Sequence, residues 1–404
     1  MAIDGFAAID FDEFHRVELP RRLAAGRGAH AARAVAKLGS LALRTKTGSA
    51  YTLAARAGGL ALEPGDASAD TVIELDAEDW QGLVHDYEAA AGLLYASRVR
   101  CLRGDAMKFV LWEPALRHLY TGREIFDAGA LVLSDSRGAA LDAARAFRFG
   151  DDAEEQSHFL RSAGYLLVRG VFAKAEVDAF LAEARELAAE ARPGDKLSWW
   201  SKDARGAEVL CRVTRAADRP RLAALPSDPR VLALAALAKT ELVHRKGEGN
   251  GVTVIFKNPG IREGLSDLPW HRDCGMGGHA LICPVLIVST YLTPANRETG
   301  ELRFLPGSHT RTCGSFIDPA AASAPRGVSF DAQPGDVSVH YGDVMHAAPP
   351  PARSDLAGYR ISAITGFAPP ASRVHRGTSY NEALHRRADG QIEHLGAVAE
   401  QAKR

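Results

Sequence analysis

The second half of the chain, from Gly251 onward, consists of short β-rich runs, and this pattern constrains the fold more than any other feature. Gly, Pro and Asn separate the runs GVTVIFK, HALICPVLIVSTYL, GELRFLPGSH, DVSVHYGDVMH and GYRISAITGF. Several short strands without long helices between them are typical of two sheets packed face to face. The sequence therefore predicts a double-stranded β-helix (jelly roll) with flanking helices, over residues 156–370.

The segment before these strands predicts a flanking helix. Tyr165 to Val168 has the composition of a strand, and apolar residues then recur at helical spacing from Val177 to Leu187. An apolar stripe of this kind buries one face of a helix against a sheet. We expect a long amphipathic helix here, with a structural role.

The strongest chemical signal is the motif LPWHRD, which contains His271 and Asp273. Two residues apart on a strand, their side chains would point to the same face, into the mouth of the roll. One imidazole, one carboxylate and a distant second histidine form the facial triad of non-haem iron(II) oxygenases, which leaves coordination positions open. His346, at the end of GDVSVHYGDVMH, is the favoured third ligand, and His340 is its rival. His340 is predicted to lie deeper, beneath the metal.

Arg360 follows His346 by 14 residues, on the next predicted strand. A 2-oxoglutarate molecule that chelates iron through its keto acid end leaves a second carboxylate, and an arginine offers that carboxylate a bidentate partner. Apolar neighbours on the strand favour burial of Arg360 over a surface pair with Asp355. Arg360 is therefore predicted to bind the cosubstrate.

Residues from about 155 to 370 resemble the phytanoyl-CoA dioxygenase family through GYLLVRGVF, FKNPG before LPWHRD, ETGELRFLPGSH, and GDVSVHYGDVMH with the following arginine. The resemblance implies that His271, Asp273 and His346 bind iron(II) and that Arg360 binds 2-oxoglutarate. It also places Lys257 where some members have a second cosubstrate ligand. Ala347 and Ala348 replace a Gly-Ser pair that often follows the distal histidine, and Asp273 argues against halogenation, since halogenases of this superfamily have Ala or Gly there.

An α+β domain is predicted ahead of the roll, over residues 20–130, with a linker at 131–155. Alternating apolar positions from Leu41 to Leu62, the strand Thr71 to Leu75, a helix from Asp76 and a closing helix at Pro114 to Tyr120 make up the pattern. This order resembles the sterol carrier protein-like lipid-binding domain, which implies an apolar tunnel for lipids. Residues 371–404 are interpreted as a polar tail over the surface.

Composition narrows the class of protein. The formal net charge is -1, basic residues are scattered, and five cysteines are widely spaced, which argues against nucleic acid as a partner and against a disulfide framework. The N-terminus does not have the pattern of a secretory signal, and no apolar run is long enough to span a membrane. A cytoplasmic, soluble protein is expected.

These features together predict an iron(II)- and 2-oxoglutarate-dependent dioxygenase. It would use dioxygen to hydroxylate an unactivated C–H bond of a hydrophobic small molecule (a lipid, a sterol or terpenoid, or an acyl thioester), releasing succinate and carbon dioxide. Trp199 and Trp200 are candidates for a lid over the substrate, or else packing residues. Arg212 and Arg215 are candidates for contact with an anionic group of the substrate, but solvated surface charges are the favoured interpretation. The alternatives are a non-enzymatic lipid-binding protein with an inactive scaffold and a roll binding another metal.

Overall fold

The computed structural model describes residues 5–245, 251–276, 285–314, 325–371 and 388–403. No helix among these residues is long and apolar enough to cross a membrane. His279 and Cys283, and with them part of one predicted strand, lie outside the described residues. The other four cysteines are buried free thiols.

The N-terminal part (residues 5–122) is built on one five-stranded sheet. Its strands are β1 (Leu41–Thr45), β2 (Ala50–Arg56), β3 (Gly59–Pro64), β4 (Thr71–Leu75) and β5 (Val99–Arg103). They lie in the order β3-β2-β1-β4-β5, with β1 and β4 parallel and the other pairs antiparallel. The alternating apolar positions from Leu41 to Leu62 thus form the antiparallel strands β1, β2 and β3, and the predicted strand at Thr71 to Leu75 is β4.

Helices cover this sheet and flank the strands that follow it. They are α1 (Phe11–Glu13), α2 (Leu19–Arg22), α3 (Gly28–Val35), α4 (Ala77–Val84), α5 (Ala90–Tyr95), α6 (Ala106–Thr121), α7 (Ala153–Ala163), α8 (Lys174–Glu190), α9 (Pro220–Ala224), α10 (Pro229–Ala236) and α11 (Leu395–Gln401). The closing helix α6 is longer than predicted, because Asp105 caps its start by accepting a hydrogen bond from the Met107 amide at 2.9 Å. Helix α8 is the predicted amphipathic helix and buries Val177, Phe180 and Leu187.

The C-terminal part contains two sheets. The larger one comprises β6 (Phe147–Arg148), β7 (Tyr165–Arg169), β8 (Ser198–Asp203), β9 (Glu208–Val213), β10 (Val243–His244), β11 (Val252–Phe256), β12 (Ile261–Glu263), β14 (Leu286–Tyr291), β17 (Val337–Tyr341) and β19 (Ile361–Ala368). The smaller one comprises β13 (Leu268–His271), β15 (Arg303–Phe304), β16 (Val328–Ser329) and β18 (His346–Ala348). Both sheets contribute to one core, where Phe304 of β15 stacks on Tyr165 of β7 with ring centroids 4.7 Å apart.

Strand order explains how residues distant in sequence meet in this core. The larger sheet runs β12-β8-β9-β11-β19-β14-β17-β7-β6, with β10 also on β19, and the smaller runs β13-β18-β15-β16. Strand β19, the last strand among the described residues, therefore lies between β11 and β14 in the middle of the larger sheet. The predicted arginine strand is an interior strand, although Arg360 directly precedes it instead of lying on it; Arg360 and Ser362 are buried.

The C-terminal segment differs from the predicted polar tail. Helix α11 buries Leu395, Val398 and Ala399 in the core of the N-terminal part, and the Cys101 amide donates to the Ala402 carbonyl at 2.8 Å. The expectation of a tail over the surface is thus wrong for residues 388–403. The apolar residues of α11 have the spacing that places them on one face of a helix. This face packs against the core of the N-terminal part, and the segment is therefore held there.

Candidate metal centre

Two histidines lie side by side on neighbouring strands of the smaller sheet. His271 ends β13, His346 begins β18, and the two residues are direct partners in the antiparallel ladder. Nδ1 of His271 donates to the Pro269 carbonyl at 2.8 Å, and Nδ1 of His346 donates to the Val344 carbonyl at 3.1 Å. Because Nδ1 carries the hydrogen in each ring, the Nε2 lone pairs are available to a metal ion.

Asp273 completes a group of three ligand atoms. Its Oδ1 lies 3.6 Å from Nε2 of His271 and 3.7 Å from Nε2 of His346, and one ligand atom from each residue falls within 4.8 Å of the others. The prediction that both motif residues lie on a strand was wrong, because β13 ends at His271 and Asp273 begins a 3₁₀ turn (Asp273–Met276). The turn nevertheless directs the carboxylate toward the two imidazoles.

The protonation states suit a divalent cation. Burial, together with the neighbouring rings of His271 and His340, lowers the pKa of His346 to about 3, so this ring is neutral at pH 7. Burial tends to raise the pKa of Asp273, but the surrounding imidazoles outweigh it and hold the pKa of that carboxyl well below its usual value. Two imidazoles and a carboxylate are a ligand set that non-haem iron(II) uses.

His340, the rival third ligand, lies closer to this centre than the sequence predicts. Its Nε2 is 3.7 Å from Oδ2 of Asp273, and its ring centroid is 4.6 Å from that of His346. Both of its ring nitrogens are buried and have no hydrogen-bond partner in the described part of the chain. His340 projects from β17 of the larger sheet, whereas His271 and His346 share the smaller sheet. The geometry thus groups His346 with the motif pair and sets His340 across from them.

Arg360 is a buried cation without a carboxylate partner among the described residues. It is 3% exposed, and its Nε and Nη1 atoms have no hydrogen-bond partner there. Asp355, the alternative partner considered from the sequence, instead accepts hydrogen bonds from Arg353 at 2.7 and 2.9 Å. An unpaired guanidinium is costly to bury, which is consistent with a site built for an anionic ligand.

Lys257 lies beside Arg360 but is already paired. Its ammonium contacts the Asp267 carboxylate and donates to the Ala348 carbonyl at 2.8 Å, and its amide donates to the Arg360 carbonyl at 2.9 Å. Burial lowers the pKa of Lys257 to about 8, although Asp267 opposes this shift. Lys257 therefore supports the wall next to Arg360 and has less free charge than Arg360 to offer a cosubstrate.

The ligand atoms and Arg360 border one cavity of about 300 Å³ between the sheets. Much of its wall is apolar: Ile255, Leu265, Leu268, Val285, Ile287, Leu302, Ile364 and Leu395. Its volume falls at the lower end of the range of about 300–1,000 Å³ found for small-molecule sites. The cavity thus joins an apolar wall to the charged and polar groups around the ligand atoms and Arg360.

The two tryptophans considered from the sequence diverge in the structure. They lie on strand β8, which replaces the predicted lid. Trp199 lines the cavity, with the guanidinium of Arg212 4.4 Å above its ring, whereas Trp200 is not among the lining residues and donates to Ser198 Oγ at 2.8 Å. Arg212 is therefore a cavity residue and not the solvated charge expected, whereas Arg215 pairs with Asp218 at the surface.

Several cavity residues carry no sequence motif. Tyr95 comes from α5 of the N-terminal part, His394 and Leu395 come from the C-terminal segment, and Arg245 follows β10. The Tyr95 hydroxyl donates to the Glu393 carbonyl at 3.2 Å, which ties two of these segments together. The sequence signals these cavity residues only through the apolar face of a helix at residues 395–401. That face indicates that the helix is buried, but it does not identify the surface against which the helix packs.

Comparison with known proteins agrees with this geometry. Residues 160–354 match the sequence profile of phytanoyl-CoA dioxygenase (PhyH). A comparison with curated proteins finds no match. The structure resembles that of EvdMO1, with 25% identity over 54% of this chain and 50% of that chain and a TM-score of 0.43. The chain thus spans half the length of EvdMO1.

Two further likenesses are to the non-heme alpha ketoglutarate dependent epimerase SnoN from nogalamycin biosynthesis and to EctD from S. alaskensis with bound Fe. SnoN shares 23% identity over 57% of this chain and 88% of its own, with a TM-score of 0.44. EctD shares 19% identity over 63% of this chain and 88% of its own, with a TM-score of 0.45. Likenesses of this extent do not transfer an activity.

The donor set fits the cofactors that the matched family uses. Three clustered ligand atoms from His271, Asp273 and His346 suit iron(II), and the unpaired, buried Arg360 suits the free carboxylate of 2-oxoglutarate. Residues 160–354 therefore combine a match to the phytanoyl-CoA dioxygenase family with a set of donor atoms that suits non-haem iron(II) and 2-oxoglutarate as cofactors.

Proposed function

We propose that this chain hydroxylates an unactivated C–H bond of a hydrophobic small molecule, consuming dioxygen and 2-oxoglutarate and releasing succinate and carbon dioxide. The observation that carries the proposal is the placement of unpaired Arg360 on the same cavity as the ligand atoms of His271, Asp273 and His346. A metal site and an anion site at one cavity match the two ends of 2-oxoglutarate.

The protein's own residues have separable tasks in this proposal. His271, Asp273 and His346 would hold the metal, and Arg360 would bind the distal carboxylate of the cosubstrate. Bound iron would supply the oxygen-activating redox chemistry. Three protein ligands leave the remaining coordination positions to the cosubstrate and dioxygen. The apolar wall would position the target carbon and exclude water.

The cavity lining supports a substrate with an apolar body. Isoleucines and leucines from both sheets surround the space, and the aromatic rings of Trp199 and Tyr95 extend it toward the N-terminal part. Arg212 and Arg245 add positive charge to the wall and would pair with an acidic or strongly polar group on the substrate. We therefore favour a compact apolar molecule with such a group.

Lipid binding by residues 20–130 stays a prediction. The five-stranded sheet and its helices enclose a core filled by their own side chains, including Trp80, Phe109 and Trp112, none of which is exposed. Tyr95 of this part already lines the cavity of the C-terminal part. These contacts favour a role in shaping the substrate site over independent lipid transport.

Anaerobic titration of the metal-free protein with iron(II) and 2-oxoglutarate tests the proposal. We expect the weak visible charge-transfer band of an iron–keto acid chelate, followed by succinate release when dioxygen and a suitable substrate are added. The band should be absent from Asp273→Ala and His346→Ala. If a folded wild-type protein forms no such chelate, the proposed function is refuted.

Tyr95 is predicted to determine substrate affinity without affecting the cosubstrate. Tyr95→Ala removes the ring from the cavity wall and the hydrogen bond to Glu393, so the KM for the organic substrate should rise by about 10-fold. The Kd for 2-oxoglutarate should not change. Tyr95→Phe is the matched control, since it removes only the hydroxyl. If Tyr95→Ala changed the Kd for 2-oxoglutarate as much as the KM for the organic substrate, this role would be contradicted.

Lys257 is predicted to contribute less to cosubstrate binding than Arg360. In Lys257→Met the lost ammonium was already neutralised by Asp267, so the affinity for 2-oxoglutarate should fall by less than about 10-fold. Titration of 2-oxoglutarate into the iron-loaded variant measures this. A loss greater than that in an Arg360 variant would make Lys257 the principal anion ligand.

A further inference from the structure

Arg272, the residue between the two motif ligands, is buried and directed away from the metal centre. Its Nη1 donates to Oδ1 of Asp343 at 2.6 Å, and its Nη2 donates to Oε1 of Glu113 at 2.7 Å. The three side chains are at most 5% exposed. This guanidinium therefore has two short, charge-assisted hydrogen bonds in a place that excludes water.

The two carboxylates come from different parts of the chain. Asp343 lies in the turn between β17 and β18, three residues before His346. Glu113 lies within α6 of the N-terminal part, 159 positions from Arg272 in the sequence. One guanidinium thus connects the segment of His271 and Asp273, the turn leading to His346, and a helix of the N-terminal part.

A backbone contact brings the two ligand-bearing segments together at the same place. The Cys274 amide donates to the Gly342 carbonyl at 3.1 Å, and a Cβ at Gly342 would lie only 2.9 Å from Cys274 Sγ. The segments are therefore in tight contact next to the ion pairs, and a change in the direction of Arg272 would be transmitted to both.

Arg117, a second buried arginine, forms its ion pair with Asp86 and not with the partners of Arg272. Arg117 pairs with both oxygens of Asp86, at 2.6 and 2.9 Å, and also donates to the Cys313 carbonyl at 3.1 Å. Asp86 thus contacts Arg117 and, at 3.6 Å, also Arg123, whereas Glu113 and Asp343 are the carboxylates that contact Arg272. Removing one charge from a buried group of this kind leaves the others uncompensated, so the structure around it has to shift.

We infer that Glu113 is a positioning residue of the metal centre: its carboxylate fixes Arg272, and through Arg272 the directions of His271 and Asp273. The N-terminal part is therefore a support of the iron site in addition to a wall of the cavity. The inference rests on the proposed function, because it assumes that iron binds at His271, Asp273 and His346. It assigns to α6 a role that neither the motif nor the matched family domain, residues 160–354, contains.

Glu113→Gln tests the inference, because it keeps the shape of the side chain and removes its charge. Calorimetric titration of iron(II) into the full-length, metal-free protein under anaerobic conditions should show an affinity lower by about 10- to 100-fold, the usual effect of losing a partner that orients metal ligands. Glu88→Gln is the matched control. Glu88 is an equally buried glutamate of the N-terminal part, and it pairs at 3.0 Å with Arg98, an arginine of that same part.

The outcomes separate positioning from general support of the fold. Thermal unfolding of the metal-free variants should show a loss of stability in both, whereas only Glu113→Gln should lose iron affinity. Asp343→Asn is a second variant, since it removes the other partner of Arg272 and should weaken iron binding similarly. If folded Glu113→Gln or folded Asp343→Asn binds iron with an affinity within about two-fold of wild type, the inference is overturned. Failure of the wild type to bind iron would instead refute the proposed function.

Discussion

Replacing Asp273 by alanine is expected to lower the affinity for iron(II) by more than about 100-fold, since even residues that only orient ligands contribute 10- to 100-fold. Turnover should be abolished, because the carboxylate is the one anionic donor among the three clustered ligand atoms. Iron titration and succinate release measure the two effects. His271→Ala should behave likewise, whereas retained iron-dependent turnover in either variant would refute the assignment of the site.

The choice between His346 and His340 is decided by the same titration. His346→Ala should lose iron as Asp273→Ala does, because its Nε2 faces the same carboxylate oxygen as that of His271, at 3.7 Å. His340→Ala is the matched control, because it removes an equally buried imidazole. The ring centroid of His340 lies 4.6 Å from that of His346, and its Nε2 faces the other carboxylate oxygen of Asp273, Oδ2. Its iron affinity should stay within about 10-fold of wild type. The reverse order of effects would make His340 the third ligand.

Replacing Arg360 by methionine is expected to weaken 2-oxoglutarate binding by about 100-fold, or about 2.7 kcal/mol, the range found when one partner of a buried charge pair is removed. The same change should stabilise the metal-free protein by on the order of 1–2 kcal/mol, since it removes a buried guanidinium that lacks a carboxylate partner among the described residues. Function and stability are thus expected to change in opposite directions.

Denaturation with and without cosubstrate tests this pair of effects. With iron(II) and 2-oxoglutarate at about 100 times its Kd, wild type should gain about 2.7 kcal/mol and become more stable than Arg360→Met. Arg245→Met is the control, because Arg245 lines the same cavity but is not assigned to the cosubstrate. Its affinity for 2-oxoglutarate should be that of wild type. An Arg360 variant that binds 2-oxoglutarate normally would contradict the assignment.

Local pattern was sufficient to predict several strands of the C-terminal part, its long helix and the burial of Arg360. Short β-rich runs separated by Gly, Pro and Asn predicted strands such as β14 and β19, and burial of Arg360 followed from the apolar residues that come after it. Helical spacing predicted α8. These inferences succeeded because each depends on residues that are close together in the sequence.

The predictions were wrong where a segment packs against residues that are far away in the sequence. The tail expected at the surface contains α11, which is buried against α5 and α6, and Arg212 lines the cavity because β9 pairs with β11. Asp273 begins a 3₁₀ turn although its motif suggests a strand. The amphipathic pattern of a helix states that a face is buried but does not identify the surface that covers it.

The sequence by itself therefore predicted the class of chemistry, because the order and spacing of His271, Asp273, His346 and Arg360 resemble those of the phytanoyl-CoA dioxygenase family. Only the tertiary structure decided that Tyr95 and Leu395 border the cavity, and that Glu113 meets Arg272 behind the metal ligands. Those contacts join residues more than a hundred positions apart. They depend on how helices and sheets pack, which no local period in the sequence encodes.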